Sequence, residues 1–140
     1  LEVAQINVTR HELDARITLG QSDGLSAAQG RFDLIVCNPP YVNAESMAAL
    51  PAEYLAEPDL ALAGGSDGMD FIRQLLRDVS SHLTPHGVLV LEIGNEYTHF
   101  VAAFPDLEVV WLPTTAGDDQ VLLVTQAALQ QHANGGAHTA

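Results

Sequence analysis

The sequence predicts an α/β protein built on a mostly parallel sheet, on the strength of three observations. Four apolar residues in a row, Leu34 to Cys37, follow Asp33 and end at a turn, which is typical of a central strand buried on both faces. The run from Val88 to Ile93 has the same character. An amphipathic helix pattern lies between the two runs, and strands that alternate with helices favour a parallel sheet.

The first thirty residues predict one helix end and one strand. Leu1 to about His11 has Leu1, Ala4 and Val8 on one stripe, which indicates the end of a helix. The segment Arg16 to Gln21 is interpreted as a strand that ends at Ser22-Asp23-Gly24. Asp23 would then lie at the carboxyl end of a strand, where its carboxylate could accept a hydrogen bond from a ligand amino group. Asp-Gly is equally common as a plain turn, and the sequence leaves the two readings open.

The second half of the chain predicts the helix and strands that complete the sheet. The helix stripe consists of Met69, Ile72, Leu75, Leu76, Val79 and Leu83, and it stops at Thr84-Pro85-His86-Gly87. After Val88 to Ile93 we expect a short helix to Phe104 and then two strands, 108–112 and 120–125, joined closely enough to be antiparallel. Residues 1–129 form one domain in this interpretation, and 130–140 form a disordered tail.

The segment between the first buried strand and the long helix is the hardest to interpret. Pro51 and Pro58 interrupt residues 43–63, which favours short helical pieces in a loop around the site. Gly64 to Gly68 is rich in glycine but no Lys-Ser/Thr pair follows, so we interpret it as a turn that leads to an N-cap at Asp67.

Charge restricts the partners of the chain. Eighteen acidic residues stand against five arginines and no lysine, for a formal net charge of −13. A phosphate backbone needs several Lys or Arg contacts, so direct nucleic-acid binding is not expected and a basic protein partner is favoured. The acidity is explained equally well by solubility. No signal peptide or membrane-length apolar run occurs in these residues, and the single cysteine fits a reducing cytoplasm.

The tetrapeptide Asn38-Pro39-Pro40-Tyr41 is the strongest candidate site. It follows a predicted strand at its carboxyl end, where open α/β sheets bind their ligands. The Asn38 amide oxygen and the Pro39 carbonyl can together accept both hydrogens of a planar –NH2 group, and neither proline has a competing N–H. Tyr41 adds a flat apolar wall. Asn-Pro is also a common turn, but the strand before it and the aromatic after it favour a socket for an amide or an exocyclic amine.

Other candidate groups fail on chemical grounds. His82 and His86 are four residues apart, but Pro85 breaks the helix that would align them. Glu96-x-x-His99 has the spacing of a di-iron ligand pair without the second copy that this chemistry needs. No metal site is predicted, and Cys37 is interpreted as a small buried apolar residue.

The order of elements resembles the class I S-adenosylmethionine-dependent methyltransferases, whose sheet is Rossmann-like with a C-terminal antiparallel pair. Within them, the chain is similar to the protein-(glutamine-N(5)) methyltransferases. The segments that carry this resemblance are Asn38-Pro39-Pro40-Tyr41-Val42, Glu57-Pro58-Asp59-Leu60-Ala61-Leu62 and Gly64-Gly65-Ser66-Asp67-Gly68. One branch of the family modifies peptide release factors, and another modifies large-subunit ribosomal protein number three. Leu50-Pro51-Ala52-Glu53-Tyr54, Phe104-Pro105-Asp106 and Trp111-Leu112 are more similar to the ribosomal-protein branch.

The resemblance implies roles for these residues. Asn38 would hold the substrate glutamine amide and border S-adenosylmethionine, Pro39 would accept the second amide hydrogen, and Tyr41 with Pro40 would contact the glutamine side chain. Asp23 would lie near the adenine, although Gly24 replaces the bulky residue that relatives usually carry there.

The resemblance also implies that this chain is the C-terminal part of a catalytic domain. The first two strands of the sheet, the glycine-rich cofactor turn and the ribose-binding acid would precede Leu1. Two alternatives remain, a methyltransferase acting on a nucleobase amine such as that of adenine and a non-catalytic scaffold that binds a protein. The −13 charge disfavours the first, and an intact socket disfavours the second.

Overall fold

The computed structural model describes residues 1–39 and 69–135. Four α-helices, four β-strands and one short 3₁₀ turn occur in that part of the chain. In chain order they are α1 (Glu2–Arg10), β1 (Phe32–Cys37), α2 (Asp70–Val79), the 3₁₀ turn (Ser80–His82), β2 (Leu83–Glu92), α3 (Tyr97–Ala103), β3 (Val110–Trp111), β4 (Val121–Thr125) and α4 (Gln126–Gly135).

The four strands form one mixed sheet in the order β1-β2-β4-β3. The first pair, β1 and β2, is parallel. The strand β4 is antiparallel to both β2 and β3. The predicted α/β sheet with a terminal antiparallel pair is therefore confirmed, and β1 lies at one edge of the sheet that the described residues form.

The pairing of β1 with β2 contains an irregularity near their amino ends. Phe32 is paired with Leu83 and Leu34 with Val88, so Asp33 lies opposite the whole segment 84–87. The Thr84 hydroxyl donates to the Asp33 carboxylate at 2.8 Å, which fastens the extra residues to β1. Because this segment bulges out of the ladder, β2 accommodates Pro85 and begins five residues earlier than the predicted strand at Val88.

The hydrophobic core lies on one face of the sheet. Helices α2, α3 and α4 contribute to it. The predicted helix stripe is buried at Ile72, Leu75, Leu76 and Val79 of α2, at the N-cap residue Met69 and at Leu83, the first residue of β2. Besides Leu83, the sheet residues that are fully buried here are Leu89, Leu91, Leu122 and Val124. The Phe100 ring of α3 packs against the rings of Phe104 and Trp111, and the centroid distances are 5.0 and 5.9 Å. The described chain therefore has one continuous core.

The opposite face of the sheet is apolar but uncovered, and we call it the open face. Leu34 is 55% exposed, Val36 is 70% exposed and Val110 is 56% exposed. Val88, Val90 and Leu123 are paired with these residues and are half-buried. No described helix shields the exposed residues of this face.

Three sequence predictions are wrong in the described residues. The helix that was expected to include Leu83 and to stop at residues 84–87 ends at Val79, because Leu83 pairs with Phe32 of β1 and the segment that follows belongs to β2. The segment Arg16 to Gln21 is not a strand, because a strand needs a neighbour to bond and no described strand pairs with it. The expected disorder from residue 130 is also incorrect up to Gly135, because α4 continues to that residue. It is held by the burial of Ala128 and Leu129 against the core.

Other predicted elements are either confirmed or lie outside the described residues. The helix at Leu1 to His11, the short helix before Phe104 and the two last strands are confirmed, with β3 shorter than expected. Helix α2 begins at Asp70, with Met69 as the N-cap residue. The proposed cap Asp67 and the segments 43–63, 64–68 and 136–140 lie outside the described residues. In the part of the chain that is described, no helix combines the length and apolar character needed to cross a bilayer.

Candidate active site at the carboxyl edge of the sheet

Parallel pairing brings the carboxyl ends of β1 and β2 to the same edge of the sheet. Cys37, the last residue of β1, is paired with Leu91 near the end of β2. Asn38 follows directly and is exposed, whereas the next residue, Pro39, is buried. The Asn38 side chain is thus accessible to solvent, while the burial of Pro39 fixes the backbone next to it. The other two predicted site residues, Pro40 and Tyr41, lie outside the described residues.

A cavity of about 450 Å³ adjoins the carboxyl half of β1. It is lined by Ser22, Asp23, Gly24, Leu25, Ile35, Val36, Cys37, Phe71 and Leu75. The loop that contains Asp23 and Gly24 therefore lies against the strand that leads into Asn38, although more than ten residues separate them in sequence. The loop is a turn in which the Ser26 N–H donates to the Asp23 carbonyl at 3.1 Å. Both predicted cofactor positions of this loop are thereby brought next to β1.

Gly24 and Phe71 are neighbours in this cavity. Gly24 has φ of 55°, a left-handed conformation that glycine adopts at no steric cost. A Cβ built on Gly24 would lie 3.7 Å from the Phe71 ring, at van der Waals distance. The half-buried Phe71 ring of α2 thus supplies an apolar surface beside the position where relatives are expected to carry a bulky side chain.

Cys37 contributes its side chain to the same wall without being a reactive group. Its thiol is half-buried, and burial raises the pKa of the thiol above its ordinary value of 9.0. A thiol with a raised pKa is protonated at neutral pH and is a poor nucleophile. The interpretation of Cys37 as an apolar packing residue is confirmed by its burial against the core.

The end of β2 brings two carboxylates to the same edge. Glu92 is the last residue of β2 and is half-buried. Glu96 precedes α3 and is 7% exposed, and its carboxylate is hydrogen-bonded to Nδ1 of His99. The pair Glu96–His99, which the sequence suggested only as an incomplete iron motif, therefore forms a local contact at the start of α3. Among the described residues, no group of three or more potential metal ligands occurs.

A second cavity, of about 550 Å³, lies away from this edge. It opens between α2, the end of α3 and α4, and its polar lining comes from Arg73, Arg77, Ser80 and His132. Its cations have neighbours of their own, because Arg73 forms an ion pair with Asp70 and Arg77 donates to Gln74. None of the predicted site residues lines this cavity.

The cavity beside β1 combines apolar side chains with one carboxylate. Leu25, Ile35, Leu75 and Phe71 form an apolar wall, and Asp23 is the carboxylate at its rim that can accept from an exocyclic amino group. Asn38 follows the last strand residue of this wall. The described residues therefore place an apolar cavity with one carboxylate beside the strand that leads to the exposed Asn38 side chain.

Comparison with known proteins first gives the class. Residues 1–63 match the family model of the methyltransferase small domain, a segment that includes Asp23, β1 and Asn38. The resemblance to methyltransferases is thus supported by the part of the chain that contains the candidate site.

The names of curated relatives indicate a more specific activity than the family model does. Three of them are named ribosomal protein uL3 glutamine methyltransferase: the protein of Bordetella pertussis is 55% identical over 130 residues, that of Burkholderia pseudomallei 50% over 138 residues, and that of Neisseria gonorrhoeae 49% over 129 residues. Each alignment covers 92% of this chain but only 44%, 45% and 43% of the respective relative. The chain is therefore similar to a part of each of these relatives, and it spans less than half of their length.

Two residues of this edge were not singled out from the sequence. Phe71 lies outside the buried stripe of α2, and an aromatic residue off the stripe is the signal that could have indicated it. Glu92 is a charged residue within the apolar run of β2, which is the equivalent signal in a strand.

Proposed function

We propose that this chain is the C-terminal part of the catalytic domain of an S-adenosylmethionine-dependent methyltransferase. The substrate we infer is a glutamine side-chain amide in a large-subunit ribosomal protein. The observation that carries the proposal is the position of Asn38-Pro39 at the carboxyl end of β1, beside the cavity that Asp23 borders. The names of the curated relatives support the choice of substrate.

The Asn38 side chain and the Pro39 backbone act on the substrate amide in this proposal. The Asn38 amide oxygen and the Pro39 carbonyl each accept one N–H of the glutamine –NH2 group. An amide nitrogen is a weak nucleophile because its lone pair is delocalised into the carbonyl. Two acceptors raise the electron density on that nitrogen and fix its direction, so that positioning supplies most of the rate enhancement. Tyr41 and Pro40 would contact the aliphatic part of the glutamine.

The cofactor residues follow from the lining of the cavity. S-adenosylmethionine supplies the methyl group when it is bound. We assign Asp23 as the acceptor for the adenine amino group, Gly24 and Phe71 as the surface against the ring, and Asn38 as the residue that borders both cofactor and substrate. The Gly24 position is suited to this role because the Phe71 ring already lies beside it.

The open edge of β1 supports the proposal that two further strands belong to the domain. In the family topology that the resemblance implies, these strands lie between β1 and the segment 16–21. The exposed Leu34 and Val36 and the absence of described pairing at 16–21 are the features expected if that space is filled by another part of the protein. Residues 1–129 would then be the end of a longer catalytic domain.

The acidic balance supports a basic protein as substrate. With a net charge of −13, the chain favours the approach of a cationic partner such as a ribosomal protein and disfavours naked nucleic acid. A cytoplasmic location follows from such a substrate. A release factor remains the second candidate among protein substrates.

Methyl transfer by a complete enzyme that contains this chain tests the proposal. We expect labelled methyl groups on a glutamine of ribosomal protein uL3 and none on DNA. Asn38→Ala should lower kcat by roughly 100-fold or more, since a lost transition-state hydrogen bond costs roughly 2.7–4 kcal/mol. Label on DNA and none on uL3 would contradict the substrate assignment.

A matched control separates the role of Asn38 from general damage. Asn7 is an exposed asparagine of α1, outside the candidate site, and Asn7→Ala should leave kcat unchanged. Cofactor affinity should stay within a few-fold of wild type in both variants. An Asn38→Ala enzyme with more than a few per cent of wild-type activity would refute the role of Asn38.

A further inference from the structure

Glu92 is an unusual residue for its place in the fold. It ends β2, whose four preceding residues are Val88, Leu89, Val90 and Leu91, and glutamate is disfavoured in strands. Leu91 and Ile93 on either side of it are fully buried, so Glu92 points to the open face. Within residues 1–39 and 69–135, no hydrogen bond or ion pair to its carboxylate is found. Its charge has no evident structural purpose there.

The register of the parallel pair brings Glu92 next to Asn38. Val36 is paired with Val90 and Cys37 with Leu91, so one more step of the same register sets Asn38 beside Glu92. Adjacent strands are about 4.8 Å apart, and paired residues project from the same face of a sheet. The exposure of Asn38 and the partial burial of Cys37 agree with Asn38 lying on the open face. The register, extended by one residue beyond Cys37, therefore predicts that the two side chains are neighbours at the carboxyl edge.

The two groups are complementary in hydrogen bonding. In the proposed function, the Asn38 amide oxygen must face the substrate amide, which turns the Asn38 NH2 group away from it. If the amide were flipped, two NH2 groups would face each other and the acceptor would be lost. A carboxylate next to the NH2 group would favour the productive orientation, since it can only accept hydrogen bonds.

We propose that Glu92 is a positioning residue for the methyl transfer, an inference that rests on the proposed function. Its carboxylate accepts a hydrogen bond from the Asn38 side-chain N–H when the Asn38 oxygen accepts from the substrate amide. The two side chains are not hydrogen-bonded to each other in the structure, so the bond forms with substrate engagement. Glu92 itself does not touch the reacting atoms in this scheme.

The test compares three variants of the complete enzyme that contains this chain, with uL3 as the methyl acceptor. Glu92→Ala should lower kcat by about 10-fold to 100-fold, the loss expected for one hydrogen bond to a charged group. Glu92→Gln should retain most of the activity, because its amide oxygen accepts the same hydrogen bond. The KM for S-adenosylmethionine should change by less than about 3-fold in both variants. Glu108→Ala removes an exposed glutamate outside the site and should leave kcat unchanged.

A double-mutant cycle identifies the partner through which Glu92 acts. Adding Glu92→Ala to Asn38→Ala should cause no further decrease of kcat, because the residue to be oriented is already gone. Glu92→Leu preserves the bulk of the side chain and replaces the alanine variant if the latter unfolds. Independent, multiplicative losses in the cycle, or a glutamine variant as poor as alanine, would overturn the proposal.

The outcomes for the two proposals are distinguishable. A wild-type enzyme that transfers no methyl group to a glutamine contradicts the proposed function itself. A wild-type enzyme that does so, together with an unchanged kcat for Glu92→Ala, contradicts only the positioning role of Glu92.

Discussion

The two faces of the sheet differ in burial although their composition is similar. On the core face, Leu89, Leu91, Leu122 and Val124 are fully buried beneath three helices. On the open face, the most exposed residues belong to the two edge strands: Val36 of β1 is 70% exposed and Val110 of β3 is 56% exposed. The open-face residues of the inner strands, Val88, Val90 and Leu123, are half-buried. Parallel strands are normally covered on both faces, which explains why both are apolar here.

The core face stabilises the described chain without help from other segments. The open face is an apolar surface that another part of the protein can cover. The core face supplies the hydrophobic free energy that holds β1, β2 and β4 in register with α2 and α4. The open face and the edge of β1 supply little, because water still reaches their side chains. The candidate site lies at the carboxyl edge, where the two faces meet. Asn38 is exposed there, and the cavity that Asp23 borders lies beside β1.

The largest expected effect compares one substitution on both faces. Leu89→Ala should lower the free energy of unfolding by about 3–5 kcal/mol, because it leaves a cavity beneath the helices. Leu34→Ala removes the same atoms from a side chain that is 55% exposed, and its effect should stay within about 0.5 kcal/mol. Urea unfolding of both variants measures the difference. Equal losses would mean that the open face is covered in solution.

The next prediction concerns the junction of β1 and β2. A Cβ at Gly87 would lie 2.8 Å from the Phe32 carbonyl oxygen and 3.0 Å from the Thr84 nitrogen, so Gly87→Ala must push two backbone segments apart. We expect a loss of about 1–3 kcal/mol in the free energy of unfolding, as for other overpacked sites. Gly20 is the control, because a Cβ there meets nothing within 4 Å. Thermal unfolding that is equally affected by both changes would contradict the close packing at Gly87.

A smaller energetic effect should appear in self-association of the 140-residue chain. The exposed, apolar edge of β1 can pair with another copy, and we expect concentration-dependent oligomers in sedimentation velocity. Val36→Lys introduces a charge at this edge and should shift the distribution toward monomer with little change in unfolding free energy. A wild-type chain that is monomeric at all concentrations would show that the edge is protected.

We also expect this chain alone to bind S-adenosylmethionine weakly or not at all in calorimetry.

The smallest expected effect concerns the thiol of Cys37 on the core side of β1. Burial raises its pKa, so the thiolate fraction at pH 8 is lower than in an unfolded chain, and it increases only at more alkaline pH. Labelling by a thiol reagent at pH 8 should therefore be slower in the folded chain than in urea. The two rates should converge as the pH rises and both forms ionise, apart from the effect of access. Equal rates at pH 8 would place Cys37 outside the core.

How far the sequence predicted this structure depends on the kind of element. The helix stripe of α2 was predicted correctly from Ile72 to Val79, because the bonds of a helix are local and its buried face repeats along the chain. Leu83 was wrongly added to this stripe, because a buried leucine at helical spacing fits a following strand equally well. The buried runs of β1 and β2 were also evident from composition. The segment Arg16 to Gln21 has a strand-like composition but no described partner, and composition carries no information about whether a partner is present.

For the candidate site, too, some features were predictable from the sequence and others were not. The sequence by itself determined the chemistry of Asn38-Pro39, because donors and acceptors belong to the residue types and their position follows from the end of a strand. Only the tertiary structure decided which residues surround them. The approach of Asp23 and Phe71 to β1 depends on how a loop and a helix pack on the sheet, and the pairing of Cys37 with Leu91, from which we infer that Glu92 is close to Asn38, depends on strand register. The apolar pattern of one strand restricts its register, but the register is a pairing of two segments that are distant in sequence, so it depends on both of them.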